Sequence, residues 1–180
     1  MSRIGRLPIK IEDGCKASFA DGIVTVEGKL GTLSQKIANE NIEVAIADGF
    51  ITVTRKNEQK ATKAAHGLYR ALIANMVTGV TKGYEKVVVI AGVGYKAQVK
   101  GKDLLLNVGY SHPVEIAAPE GIKFECPTIT EIKVSGIDKT LVGQTAANIK
   151  AVRKPEPYHG YGIHYKDETI LRKEGKANGK

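Results

Sequence analysis

The side chains best suited to chemistry in this chain lie in its last thirty residues, AVRKPEPYHGYGIHYKDETILRKEGKANGK. Seven Lys/Arg stand there against four Asp/Glu, and three of the seven tyrosines and two of the four histidines fall between Tyr158 and Tyr165. Fixed cations neutralise phosphates, and exposed rings stack on unpaired bases. Pro155-Glu156-Pro157 stops a helix, while Gly160 and Gly162 permit bends. Cations, rings and bendable backbone together suit a segment that lies along folded RNA. The candidate RNA-binding residues are Arg153, Lys154, Tyr158, His159, Tyr161, His164, Tyr165, Lys166, Arg172, Lys173 and Lys176. The three tyrosines are expected to be exposed, because glycines separate them and large apolar neighbours are few. Arg153 and Lys154 also suit the carbonyl end of a helix dipole, a structural role compatible with phosphate binding. Gly175 to Lys180 is expected to become ordered only when RNA holds it.

The remaining constellations are weaker. Gly92-Val93-Gly94-Tyr95-Lys96 has the look of a phosphate loop, but β-type residues follow it where such a loop opens a helix. It is predicted to be a turn between strands, with Gly94 and Lys96 as secondary RNA contacts. Gly28 to Thr32 is predicted to be a flexible hairpin loop. His66 sits mid-helix, His112 precedes a proline, and neither has the neighbours of a triad. His159 and His164 lack a third ligand type for a metal, and the carboxylates form no acid–base pair. No catalytic residue, metal or cofactor is therefore expected. Cys15 and Cys126 stand alone, which indicates no disulfide framework and fits a reducing cytosol.

The chain of 180 residues is 42% hydrophobic with net charge +8 and a pI near 9.4, a balance that favours anionic partners. The charge is uneven: +4 over residues 1–82, +1 over 83–150 and +3 over 151–180. That points to a local binding strip. No apolar run approaches the ~20 residues of a membrane span, and the opening residues have no signal-peptide pattern.

The elements that must position these residues follow one order twice. Strands are predicted at Ile23–Glu27, Leu33–Ile37, Ile42–Ala47 and Phe50–Thr54, with Asp21-Gly22 and Asp48-Gly49 as hairpin turns. A helix capped by Asn57 follows, with an apolar stripe of Ala61, Ala64, Ala65, Leu68, Leu72 and Met76. The second half predicts strands at Lys86–Ala91, Tyr95–Lys100, Leu104–Val108, Val114–Ala117, Ile122–Cys126 and Ile132–Ser135. A helix capped by Asp138 then buries Leu141, Val142, Thr145, Ala146, Ile149 and Val152. The expectation is an α+β fold of two tandem similar domains, each of small antiparallel sheets packed with one main helix. The divisions fall at residues 1–82, 83–152 and a basic, aromatic tail at 153–180.

Several stretches carry a resemblance: Ser2-Arg3-Ile4-Gly5-Arg6-Leu7-Pro8-Ile9, Gly92-Val93-Gly94-Tyr95-Lys96-Ala97, Ser135-Gly136-Ile137-Asp138-Lys139, Val142-Gly143-Gln144 and Arg153-Lys154-Pro155-Glu156-Pro157-Tyr158. Over essentially its whole length the chain resembles the bacterial large-subunit ribosomal protein L six family. The resemblance implies a structural protein, not an enzyme, that binds large-subunit rRNA mainly through its second domain and tail. It implies a place near the sarcin–ricin loop and stalk base, neighbouring ribosomal proteins as partners, translation factors nearby, no membrane, and a cytoplasmic, ribosome-associated location. One departure stands out. The family's usual Lys-Gly-Lys-Gly is here His159-Gly160-Tyr161-Gly162, which exchanges two cations for rings. Binding there is expected to be less salt-sensitive and somewhat pH-dependent through His159.

Overall fold

The computed structural model describes residues 3–176, and the expectation for 175–180 falls mostly outside them, as does Ser2. The first half runs β1 (Ile9–Lys10), β2 (Lys16–Ala20), β3 (Ile23–Gly28), β4 (Gly31–Lys36), β5 (Ile42–Ala47), β6 (Phe50–Arg55) and α1 (Lys60–Thr81). The second runs β7 (Tyr84–Ala91), β8 (Lys96–Lys100), β9 (Asp103–Asn107), β10 (Val114–Ile116), β11 (Ile122–Thr128), β12 (Glu131–Gly136), α2 (Lys139–Val152) and β13 (Gly162–Tyr165). Two compact units result. The first extends to Tyr84 and includes Ile137–Lys139; the second comprises Glu85–Gly136 and the chain from Thr140 onward.

In the first unit the antiparallel sheets have strand orders β1-β6-β5 and β2-β3-β4. Asp21-Gly22 and Asp48-Gly49 close their hairpins with positive φ at both positions (50° and 73°, 52° and 76°). This is the backbone of a turn whose twist matches paired strands. Strict alternation in β6 buries Ile51 and Val53 and leaves Phe50, Thr52 and Thr54 outside. The Gly28 to Thr32 hairpin is docked, contrary to the flexible loop expected. Leu30 N–H donates to the Val80 carbonyl at 3.1 Å, and a Cβ on Gly28 would lie 2.6 Å from that oxygen.

Helix α1 turns inward a face that only partly overlaps the stripe its Ala/Leu/Met spacing predicts: Met76 is buried and Ala65 packs against the core. Thr62, His66, Ile73, Met76, Val77 and Val80 are buried, whereas Ala61 and Ala64 are exposed and Leu68 is 56% exposed. The deciding residue is His66. Its Nε2 donates to the Val53 carbonyl at 2.9 Å, so Nδ1, 3.1 Å from Arg55 Nη1, accepts. A histidine satisfied at both nitrogens is at home in a core, and it draws the i, i+4, i+7 row around it inward. The helix also starts later than expected. Asn57 Oδ1 accepts the Gln59 N–H at 3.3 Å in a turn before the helix, and Gln59 occupies the cap position without a side-chain bond.

The second unit repeats the plan with one addition. Its sheets are β10-β9-β8 and β11-β12-β7-β13. Val142, Thr145, Ala146 and Ile149 form the buried face of α2, as its periodicity predicts. They share the buried set with Val88, Ile90, Leu104, Leu106, Ile132, Val134 and Ile163. Strand β13 continues the sheet beyond β7, whereas among the described residues no further strand lies beside the matching edge strand of the first unit, β1. Sequence patterning did not indicate β1, β2 or β13.

The helix face is directly testable. Ile73→Ala is expected to cost about 2–5 kcal/mol, and Leu68→Ala less than about 0.5 kcal/mol, in urea unfolding of the full chain. Equal costs would contradict the face described.

Candidate nucleic-acid interface

The tail expected to lie open is instead built into the second unit. Gly162, Ile163, His164 and Tyr165 pair antiparallel with Ala91, Ile90, Val89 and Val88. The ladder is extended by Lys166 N–H to the Val87 carbonyl at 3.1 Å. Ile163 is fully buried, and its N–H donates to the Arg153 carbonyl at 2.8 Å. Gly162 has φ +147°, and a Cβ there would lie 2.5 Å from Pro155 Cα, so only glycine permits this return of the chain past the end of α2.

Residues 153–161 thereby become a closed loop. Glu156 organises its tip. Its N–H donates to the Tyr161 carbonyl at 3.0 Å, and its carboxylate accepts the Tyr158 N–H at 3.1 Å and the His159 N–H. Burial pushes the Glu156 carboxyl up, but the N–H groups of Tyr158, His159 and Tyr161 outweigh it and hold the group below its ordinary value. His159 Nδ1 lies 3.3 Å from the same carboxylate. The His159 and Tyr161 rings stack, with centroids 5.3 Å apart and planes 16° from parallel. Tyr158 and Tyr161 are 54% and 41% exposed.

His164 and Tyr165 are more enclosed than expected, whereas Lys166 is exposed. Tyr165 is half-buried, with Lys86 Nζ 4.9 Å and Lys150 Nζ 4.8 Å from its ring centroid. His164 is half-buried, its Nδ1 enclosed without a hydrogen-bond partner among the described residues. Lys166 pairs with Glu131 at 3.2 Å. Pairing with β7 and burial of Ile163 commit these neighbours to the protein, so they anchor the loop. Glu168 completes the anchor: it accepts Lys150 Nζ at 2.6 and 2.7 Å and the Tyr165 N–H at 3.1 Å.

The cations divide accordingly. Arg153 lies 5.3 Å from the Tyr110 ring centroid, and Tyr110 donates its hydroxyl to the Val152 carbonyl at 2.8 Å. Lys154, Arg172, Lys173 and Lys176 are exposed and pair with no acid among the described residues. Lys173 N–H donates to the Pro157 carbonyl at 2.7 Å, which holds that part of the tail against the loop. Tyr110 is a residue that the sequence analysis missed. Its signal was the Gly109-Tyr110 dipeptide, which repeats the Gly94-Tyr95 pair already noted.

Gly92 to Tyr95 forms a turn leading into β8, as expected, with Lys96 exposed as the first residue of that strand. The Tyr95 ring packs against Gly92 and Gly109. Strand, not helix, follows the turn, so it lacks the helix N-terminus of a phosphate loop. Among the described residues no His/Cys/Asp/Glu group could hold a metal, and no helix is long and apolar enough to cross a membrane.

A family model described as ribosomal protein L6 matches residues 11–83 and 91–166, in two stretches that follow the two units. The chain belongs to the ribosomal protein L6 family. It is 55% identical to "Large ribosomal subunit protein uL6" of Clostridium novyi (strain NT) over 178 residues, 98% of this chain and 99% of the relative. It is 52% identical to the protein of the same description from Syntrophomonas wolfei subsp. wolfei over 180 residues, the whole of both chains. The family is structural, so a member has no catalytic centre to seek. Within this ribosomal protein, the loop tip at His159-Gly160-Tyr161-Gly162 keeps the glycine positions on which the return past Pro155 depends.

The anchor has a pH signature. Glu168 is held below the ordinary Glu value of 4.5, first by the Lys150 bond and then by the Tyr165 N–H. A lowered folded value means that this stabilisation is present above pH 4.5 and is lost as pH falls through the folded value. Glu168→Gln is expected to cost about 1 kcal/mol or less at pH 7. It should also reduce the fall in melting temperature between pH 7 and the acid side of that window, as read by circular dichroism. An identical pH dependence in parent and variant would contradict the anchor.

Proposed function

We propose that this ribosomal protein is a structural constituent of the large ribosomal subunit and binds large-subunit rRNA through the second unit. The loop at 153–161 forms the main contact, and the Gly92 to Lys96 turn a secondary one. The supporting observation is that Arg153, Lys154, Arg172 and Lys173 flank a folded tip whose rings are exposed, with no acid paired to them among the described residues. Unpaired cations beside exposed rings match the two contacts that RNA offers, phosphate and base face. In this reading His164, Tyr165 and Lys166 act by positioning the loop, and Lys176 extends the basic strip.

We infer that this contact lies near the sarcin–ricin loop and stalk base, beside the translation-factor site, in a cytoplasmic ribosome, as the resemblance implies. There the protein orders RNA during assembly and supports translation. Among the described residues the first unit has no counterpart of β13 or the loop that precedes it. It is the part that would face neighbouring ribosomal proteins.

Ending the chain at Val152 would also delete buried Ile163, so point substitutions test the reading more cleanly. Arg153→Ala with Lys154→Ala is expected to weaken binding to protein-free large-subunit rRNA. It should also flatten the dependence of log affinity on log salt by about 0.7–0.9 for each phosphate that is no longer neutralised. Unchanged affinity and slope would refute this interface. Failure of the parent chain to bind the rRNA would refute the function.

A further inference from the structure

We propose that the His159–Tyr161 ring pair is a stacking platform for one unpaired RNA base. The inference rests on the rRNA-binding reading and names the ligand of its central contact: a bulged or looped nucleotide, not the phosphate backbone of a duplex. The two rings lie 16° from parallel at 5.3 Å, on the exposed side of a loop. The His159 side chain is 72% exposed and Tyr161 is 41% exposed. Each ring gives one face to the other, and their exposure leaves surface open to a further planar group. The Tyr161 ring stacks on the imidazole, and its backbone carbonyl accepts the Glu156 N–H at 3.0 Å.

The platform is fixed before any ligand arrives. Glu156 holds the backbone under both rings through its carboxylate and its N–H, and Gly160 between them is buried against the Arg172 guanidinium. A preformed stack binds with less loss of side-chain freedom than two mobile rings would. Arg172 lies behind the tip, and Lys173 is tied to Pro157 at the loop's side. They supply charge for the phosphates on either side of the bound base. Bases inside an A-form helix are stacked on each other and offer no open face, so the rings select single-stranded or bulged nucleotides. Stacking tolerates any base and gives little salt dependence, in contrast to lysines at the same two positions.

The full chain and three variants, His159→Ala, Tyr161→Ala and His159→Lys with Tyr161→Lys, are tested in two assays. The first is binding to protein-free large-subunit rRNA across a salt series. The second is fluorescence of a short single-stranded RNA carrying one 2-aminopurine, with the same strand in a duplex as control. The parent is expected to quench the single strand and not the duplex. Each alanine variant should lose the quenching and bind rRNA about tenfold more weakly. The double lysine variant should bind rRNA at low salt without quenching, and with a salt slope steeper by about 1–2. If the parent binds rRNA but the alanine variants bind equally, or the parent does not quench, the platform is overturned while the rRNA-binding reading stands. If the parent does not bind rRNA, both fall.

Discussion

Everything proposed for this protein depends on four residues joining a sheet. Pairing of β13 with β7 carries the chain back past the end of α2, buries Ile163, and ties Ile163 N–H to the Arg153 carbonyl. Without that ladder, the segment after α2 would be a flexible polymer with scattered charges and rings. With it, residues 153–161 are held at both ends, and the loop's shape becomes a property of the folded unit. The added strand also distinguishes the second unit from the first, because among the described residues the corresponding edge of β1 carries none. The second of two tandem units thus acquires a fixed loop by extension at one sheet edge, where backbone N–H and C=O groups are available for pairing.

From that ladder the chemistry follows in layers. Glu156 accepts the Tyr158 and His159 N–H groups and donates its own N–H to the Tyr161 carbonyl, which holds the backbone that carries the three side chains. Tyr165, between Lys86 and Lys150, and Glu168 on Lys150, lock the far side of β13. Lys154, Arg172, Lys173 and Lys176, exposed and paired with no acid among the described residues, are cations the anchor does not use. One short segment therefore serves two purposes, with some residues committed to packing and others to solvent.

How much of this was legible depended on whether the signal was local. Asp21-Gly22 and Asp48-Gly49 announce their hairpins because the turn itself needs positive φ. The buried face of α2 was legible because its apolar residues are its buried residues. Helix α1 misled in part because Ala61, Ala64 and Leu68 continue an apolar stripe that stays exposed while His66 and Thr62 lie on the face that packs, and a histidine's partners are invisible until Val53 and Arg55 are placed beside it. Strand β13 was illegible for a similar reason. Gly-Ile-His-Tyr is short and begins with glycine, and its partner β7 lies some seventy residues earlier. The residue types of the tail suggested RNA chemistry to propose, but not which of them face outward. Tyr110 was overlooked because its role depends on Arg153, which the fold brings to it.

The most direct test of the account is hydrogen exchange of the Ile163 and Lys166 amides in the full chain without RNA. Their N–H groups are bonded to the Arg153 and Val87 carbonyls, so both should exchange slowly, with protection comparable to the core strand β7. Exchange at the rate of an unstructured chain would show that the tail folds only on its ligand. It would remove the preformed loop on which the account rests.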